Sequence, residues 1–319
     1  MSTCDLPIDM VYLYVNSNDE EWVVKRNQYT MDQNNGACRF RDNKELMYSL
    51  RSVEKYAPWI RNIYIVSNSS MPDWLNTNHP KIHIIAHEEI MPPDILPCFN
   101  SNVIESFIHM IPGLSEFFLY ANDDMFFCNY VTPDFFVKDG KPVVRMMKRE
   151  VNTSSIYNRF IQNSQKAIFE HYGKRYSLIP WHNIDVYSKK EMENCVKEFQ
   201  KEFDFFLCNR MRGENDLQRV IYQYYLLLHD ACILKTYDRS SLLMQILDYA
   251  KMFFIPSKFL DSFCWSTHET VSNPLLRQLL FLHPKCACIN DGETTTEEDV
   301  EKYPKIMLKL FPEKSSFEK

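Results

Sequence analysis

Glycine is the scarcest structural resource of this chain: 319 residues contain six of them. No G-x-G-x-x-G or G-x-x-x-x-G-K-[ST] pattern occurs, which disfavours dinucleotide oxidoreductases and P-loop enzymes. Flexible glycine linkers are likewise absent, so any second part of the chain is expected to pack directly on the first. Long apolar runs are missing too. The most apolar stretches, Phe117 to Tyr120 and Ile221 to Leu228, are cut short by Asn122, Asp123 and Asp124 or by Gln223, His229 and Asp230, and neither is long enough to span a bilayer. Met1 to Val15 has no basic segment followed by an apolar stretch and a small-residue cleavage site, so nothing there predicts export.

Ten cysteines are scattered, with no C-x-x-C pair for zinc or redox work; the closest two are Cys286 and Cys288. Buried, reduced thiols in a cytoplasmic protein is the expectation, and a disulfide-bearing exported form is the alternative. The sequons Asn68-Ser69-Ser70 and Asn152-Thr153-Ser154 are short enough to arise by chance. A net charge of -6 without a dense basic patch predicts no nucleic-acid partner. What is present in quantity is core material: 45% hydrophobic and 24% charged residues exclude disorder over most of the length.

The first part alternates strand and helix patterns. Ile8 to Val15, Ile60 to Ser67, Lys81 to Ala86 and Phe117 to Ala121 read as strands. Glu20 to Tyr29, a segment from Asp42 that stops before Pro58, and Asn100 to Ile111 read as helices. After Pro142 long helices are expected at Lys189 to Phe206, Glu214 to Leu234, Ser240 to Phe254, Pro274 to Phe281 and Thr296 to Phe311. The fold class predicted is α/β: a Rossmann-like, mostly parallel sheet flanked by helices over residues 1–141, with a helix-rich part over 142–319 packed against it in one integrated domain.

Tyr120-Ala121-Asn122-Asp123-Asp124 carries the strongest chemical signal, because two adjacent carboxylates end an apolar strand where open α/β sheets bind ligands. Asp123 and Asp124 there are candidates for a hard divalent cation shared with a substrate diphosphate. An Asx-capped polar turn is the plainer reading of the tripeptide. Asp9 and Asn16-Ser17-Asn18-Asp19 bracket the first strand and are candidates to lie by a nucleotide, with Asp19 also a helix N-cap, or simply to form a strand-to-helix turn. Glu105 and His109 are spaced to share a helix face and to relay protons, or to form a surface pair. His182 in a loop is a candidate acid/base histidine or a solvated one. Arg212, ahead of Glu214, Asn215 and Asp216, would grip a phosphate or pair with those acids.

In order along the chain, Pro7 to Tyr12 with Val15 to Asp19, then Arg39 to Ser52, Tyr56-Ala57-Pro58-Trp59-Ile60-Arg61, Pro72-Asp73-Trp74-Leu75, Ile104-Glu105-Ser106 and Ile111 to Ser115 up to Asn122-Asp123-Asp124 resemble the first two conserved regions of the Stealth proteins. His182, the helix after Lys189, Arg212, Asp216 and Gln218 into Tyr222, Tyr224 and Tyr225 are similar to the third region, and Lys285 to Asp291 to the fourth. Tyr14, Ser17, Met47 and Phe107 depart from the family's usual tryptophan, glycine, arginine and histidine. The large insertions and membrane anchors of the animal member are not seen, which points to the compact bacterial type.

The resemblance implies transfer of a hexose- or N-acetylhexosamine-1-phosphate from a UDP-sugar to a glycan hydroxyl, forming a phosphodiester and releasing UMP, in capsule or exopolysaccharide synthesis. It implies Mg²⁺ or Mn²⁺ held by Asp124 with Asp123 and Asp291. Arg212, aided by Arg51, would clamp the phosphoryl group, and His182 would be the general base. Glu105 and Asn290 would orient, and Asp9, Asn16 and Asp19 would sit by the nucleotide. The expected partners are the donor and a glycan or polysaccharide acceptor, at the inner face of the membrane through a lipid-linked acceptor. A metal-dependent glycosyltransferase releasing UDP and a catalytically silent glycan-binding protein are the alternatives.

Overall fold

The computed structural model describes residues 6–30, 41–148, 155–238, 243 and 261–319. The helix expected at Ser240 to Phe254 lies outside the described residues, apart from the single position Leu243. The central sheet has the order β3-β2-β1-β4-β9, with β1 at Ile8–Leu13, β2 at Ile63–Val66, β3 at Ile82–Ile85, β4 at Phe117–Asn122 and β9 at Asp185–Ser188. The first four strands are parallel, and β9 runs antiparallel to β4.

Both faces of this sheet are covered, as parallel strands require. Met10 and Tyr12 of β1 point into one core and Val11 into the other, following the two-residue alternation of a strand. Helix α1 (Glu20–Asn27) starts where the Asp19 carboxylate accepts the Trp22 amide at 3.0 Å. Helix α2 (Glu45–Tyr56) is buried on nearly every side because it lies between the sheet and β5 (Met125–Phe127). The Ser49 and Ser52 hydroxyls tie α2 to the backbone of β5, at the Met125 carbonyl and the Phe127 amide.

The helix expected from Asn100 is shorter than its apolar spacing suggests. α3 ends at Glu105 (Ser101–Glu105), and a 3-10 turn at Ile108–Met110 follows. The Ser106 hydroxyl turns back onto the Asn102 carbonyl at 2.9 Å, a local bond that competes with helix continuation. Glu105 and His109 therefore do not share a helix face.

The second half is richer in strands than expected. β6 (Val137–Lys138), β7 (Lys141–Lys148), β8 (Leu178–Pro180) and β10 (Ile233–Asp238) form one sheet, while β11 (Ser262–Ser266) and β12 (Cys286–Asn290) join β5 in another. Its helices are α4 (Ile156–Tyr172), α5 (Lys189–Glu198), α6 (Gln200–Leu207), α7 (Val220–Leu228), α8 (Thr267–Ser272), α9 (Pro274–Phe281) and α10 (Glu297–Leu310).

Two expected helices are corrected. Lys189 to Phe206 breaks at the fully buried Phe199, which leaves helical geometry (ψ 30°) to seat its ring. Glu214 to Leu234 is helical only over α7, since Asp230 adopts a left-handed conformation (φ 49°) and the chain then pairs with β7.

Candidate active site

The carboxyl ends of β1, β2 and β4 share one edge of the sheet, and antiparallel β9 begins there, with Asp185 opposite Tyr120. The residues in the turn after β4 and those just before β9 therefore lie at the same end of the sheet, although 58 positions separate Asp124 from His182.

One group is acidic. Asp123 and Asp124 form the tight turn between β4 and β5, and Glu45 opens α2 behind them. Glu45 accepts the Asn43 amide N–H and side-chain amide, both at 2.7 Å. Burial first, and Asp123 second, push Glu45 up to about 8. Burial, then Asp124 and Asp42, raise Asp123 to about 7; burial, then Glu45, raise Asp124 to about 7. Asn290, at the end of β12, donates to Asp124 Oδ2 at 3.0 Å, while the buried Oδ1 accepts no hydrogen bond from described residues. The Tyr14 and Tyr303 hydroxyls are also buried without a hydrogen-bond partner, and both feel the negative charge of Glu45 and Asp123.

The other group mixes signs. The Tyr120 hydroxyl lies 2.8 Å from Glu105 Oε1 and 2.9 Å from Asn122 Oδ1. The buried Arg219 spans the space beyond: its Nε is 3.2 Å from Asp185 Oδ2, at an angle that makes an ion pair without a hydrogen bond, and its guanidinium lies over the Tyr120 ring. Burial raises Glu105, with Arg219 and Arg212 opposing it; burial likewise raises Asp185 to about 6 against the pull of Arg219 and Arg145.

His182 stands beside this pair, its Nδ1 3.3 Å from Arg219 Nη2. A guanidinium only donates, so Nδ1 is the acceptor and the ring proton sits on Nε2. Burial, then Arg219 and Arg212, push His182 down to about 3. The expected general base is thus a neutral imidazole with its basic nitrogen occupied, an arrangement suited to donating a hydrogen bond from Nε2. Arg212 is exposed on the loop before α7, donating to Ser101 Oγ at 2.6 Å. That loop is pinned to α3 by the buried Asp216, which accepts Asn100 Nδ2 at 2.7 Å and Asn102 Nδ2 at 3.2 Å.

Asn16 and Asp19 fasten the loop after β1 to the loop after β2: the Asn16 amide donates to Ser69 Oγ at 2.8 Å, and Asp19 Oδ2 accepts the Ser70 amide at 2.6 Å. That amide bond, with the one from Trp22, holds the Asp19 carboxyl below its ordinary range.

Three expected site residues are placed elsewhere. Asp9 lies at the amino end of β1, away from the site, and its fully buried carboxylate is saturated by Arg61 (2.8 and 2.6 Å), the Ser115 amide (2.7 Å) and the Asn62 amide (3.1 Å). Arg51 faces the chain end, forking onto Glu318 at 2.8 and 2.7 Å and donating to the Phe311 carbonyl at 2.9 Å. Asp291 adjoins Asn290, yet its carboxylate is engaged by Arg41 at 2.9 Å and the Gly292 amide at 2.8 Å. His109 is buried away from Glu105, and burial pushes it down to about 4.

Three participants, Glu45, Asp185 and Arg219, were not anticipated, and Tyr120 was quoted with the strand-end motif without a role of its own. Glu45 and Arg219 stand within or beside the quoted sequence regions without any distinguishing pattern. Asp185 and Tyr120 acquire meaning only through the β4–β9 pairing.

The family model of Stealth protein CR2, conserved region 2, matches residues 39–144. The chain is 36% identical over 229 residues to the capsular polysaccharide phosphotransferase fcs1 of Haemophilus influenzae, covering 66% of this chain and 62% of that protein's length. It is 34% identical over 254 residues to the exopolysaccharide phosphotransferase cps2G of Lactiplantibacillus plantarum, covering 69% of this chain and 75% of the relative. The capsular polysaccharide phosphotransferase WcwK of Streptococcus pneumoniae is 28% identical over 98% of both chains. A crystal structure of the galactosyltransferase LgtC with donor and acceptor sugar analogs aligns over 94% of this chain and 95% of that one, at a TM-score of 0.45 and 10% identity. The class these relatives define is that of the polysaccharide phosphotransferases. The chain belongs to the Stealth family.

Proposed function

We propose that this protein transfers sugar-1-phosphate from a UDP-sugar to a hydroxyl of a glycan or polysaccharide, in capsule or exopolysaccharide synthesis, releasing UMP. The observation that carries the reading is the meeting, at one strand end, of a carboxylate pair with a group of donors and cations. The acids suit a cation-bound diphosphate; Arg219, Arg212 and the Nε2–H of His182 suit the anionic oxygens of a phosphoryl group in transfer.

The fit to Mg²⁺ or Mn²⁺ rests on the buried, unbonded Oδ1 of Asp124 beside Asp123. Among the described residues no three His, Cys, Asp or Glu side chains are arranged to hold a metal ion. A magnesium-type site would use one or two carboxylates and take its remaining ligands from substrate phosphate and water. Such a cation would supply charge neutralisation at the diphosphate. Asn290 keeps Asp124 oriented, and Glu45 and Tyr14 line the acid side. Asn16 and Asp19 shape the loop over β1 and β2 where the uridine part would lie. Glu105, held by Tyr120, orients groups on the transferred sugar phosphate. The acceptor oxygen attacks the sugar-bearing phosphorus, the bond to the second phosphorus's bridging oxygen breaks, and the sugar C–O bond survives.

A lipid-linked acceptor would place the protein in the cytoplasm at the inner membrane face; no described helix is long and apolar enough to cross a membrane. The test is a panel of UDP-sugars offered with Mg²⁺ and glycan acceptors, identifying the nucleotide product. Acceptor-dependent UMP supports the reading. UDP assigns a glycosyltransferase instead, and no nucleotide release across the panel overturns the activity altogether.

A further inference from the structure

With His182 Nδ1 bonded to Arg219, the acceptor hydroxyl needs another group to take its proton. We propose that His268 is that group, with Asp299 as the residue that orients it; this rests on the phosphotransfer reading above.

His268 is the second residue of α8, which begins immediately after β11. β11 and β12 are parallel and in register, Ser266 beside Asn290, so α8 emerges at the same end of the strand pair as the Asn290 side chain that holds Asp124. Helix α10 packs against α8. On α10, Asp299 and Tyr303 are four positions apart and so lie on one face, about 6 Å from each other. Tyr303 is fully buried and feels the charge of Glu45, Asp124 and Asp123, so Asp299 is one helical turn from a residue that faces the field of the acidic group. His268 is bonded to that residue: Nδ1 lies 2.7 Å from Asp299 Oδ2.

The bond has the features of a working dyad. Asp299 is buried, and its Oδ2 also accepts the Thr296 amide at 2.9 Å and the Thr296 hydroxyl at 2.8 Å, which fix the carboxylate. A carboxylate fixed in this way orders Nδ1–H of the imidazole and leaves Nε2 with its lone pair. The His268 side chain is 39% exposed, and no described residue bonds its Nε2.

The other charged groups nearby are already engaged: Glu269 turns back to Ser266, Asp291 at the end of β12 pairs with Arg41, Lys302 on α10 pairs with Glu298, and Arg277 on α9 donates to the Val271 carbonyl. In the step proposed, the acceptor O–H proton passes to His268 Nε2 while the acceptor oxygen forms its bond to phosphorus. The phosphorus–oxygen bond to UMP breaks, UMP leaves with that electron pair, and the imidazolium returns its proton to water.

The experiment measures UMP release by the full chain with the UDP-sugar and acceptor that the wild type uses. His268→Ala should lower kcat about 100-fold, the lower end of what a general base contributes, with wild-type circular dichroism and Tm. Imidazole at tens of millimolar should restore part of the rate, as it would not for a residue that merely joins α8 to α10. A kcat within about threefold of wild type, or a loss that imidazole does not relieve, overturns the proposal.

Should His268→Ala fail to fold, Asp299→Asn decides. Without the carboxylate to hold Nδ1–H, the ring loses its fixed tautomer and orientation, so kcat should fall while the donor KM stays near wild type, and an unchanged kcat overturns the assignment. Absence of UMP from the wild type itself is a separate result: it fails the phosphotransfer reading and this inference with it.

Discussion

Replacing Asp9 by alanine tests whether the charged residue inside β1 serves the site or the scaffold. Its carboxylate is fully buried and receives two bonds from Arg61 and one each from the Asn62 and Ser115 amides. Removing one partner of a buried ion pair costs about 3–5 kcal/mol. Arg61 is 42% exposed and can turn to water, which moderates the charge term. The two backbone amides have no such escape, and each unsatisfied buried donor costs about 1–3 kcal/mol.

A total of about 3–5 kcal/mol follows, and at about 2 °C per kcal/mol for a domain of this size Tm should fall by about 6–10 °C. Catalysis should survive, because four residues of strand separate Asp9 from Leu13 at the carboxyl end of β1, about 13 Å at about 3.3 Å per residue. Calorimetry and steady-state UMP release on the same preparation provide the measurement. A Tm within 2 °C of wild type together with a tenfold or larger rise in donor KM would refute the reasoning and return Asp9 to the nucleotide.

Asp124→Asn should reduce kcat by orders of magnitude while Tm holds or rises, since an isosteric amide replaces a carboxyl whose ionisation burial opposes; near-normal turnover would remove Asp124 from the cation site. Asp123 and Asp124 hold protons up to about pH 7 in the folded chain but release them near pH 4 when unfolded, so their ionisation destabilises the fold as pH rises from 4 to 7. In EDTA, Asp123→Asn should therefore gain Tm relative to wild type between pH 5 and pH 8, and a constant Tm difference would disprove that account. His182→Gln keeps an N–H donor and should retain more activity than His182→Ala, with both profiles keeping the wild-type acidic limb; a limb lost in both would restore His182 as the base.

The parts of this molecule that were legible in its sequence are those whose physics is local. β1 and β4 are apolar runs ended by polar clusters, and Asp19 caps α1 as its position before Glu20 suggests. The acids at the end of β4 were legible for the same reason, since a carboxylate pair cannot continue a buried strand. Asp9 and Arg51 were misplaced because a charge within an apolar segment has two explanations, a ligand or a buried partner, and only the fold reveals Arg61 or Glu318. Arg219 belongs to the same case in reverse: its importance comes from Tyr120, Asp185 and His182, three elements of different sequence origin. The short strands β8 to β12 mix polar and apolar residues over three to six positions, too few to display a period against the helices around them.

The bond between Asn290 and Asp124 joins positions 166 apart in the chain. On a ribosome adding about 5–20 residues per second, the carboxylate emerges roughly 8–30 s before its partner exists. During that interval β1 to β4 and α2 have all their sequence and can assemble, while β5 has no β12 to pair with and the two acids face each other without their amide. The clamp on Asp124 therefore forms only after the polypeptide has passed the point at which most of its central sheet is complete. A nascent chain stalled before residue 286 would carry the parallel strands β1 to β4 with the acidic turn after them, but no β12 to hold Asp124 in place.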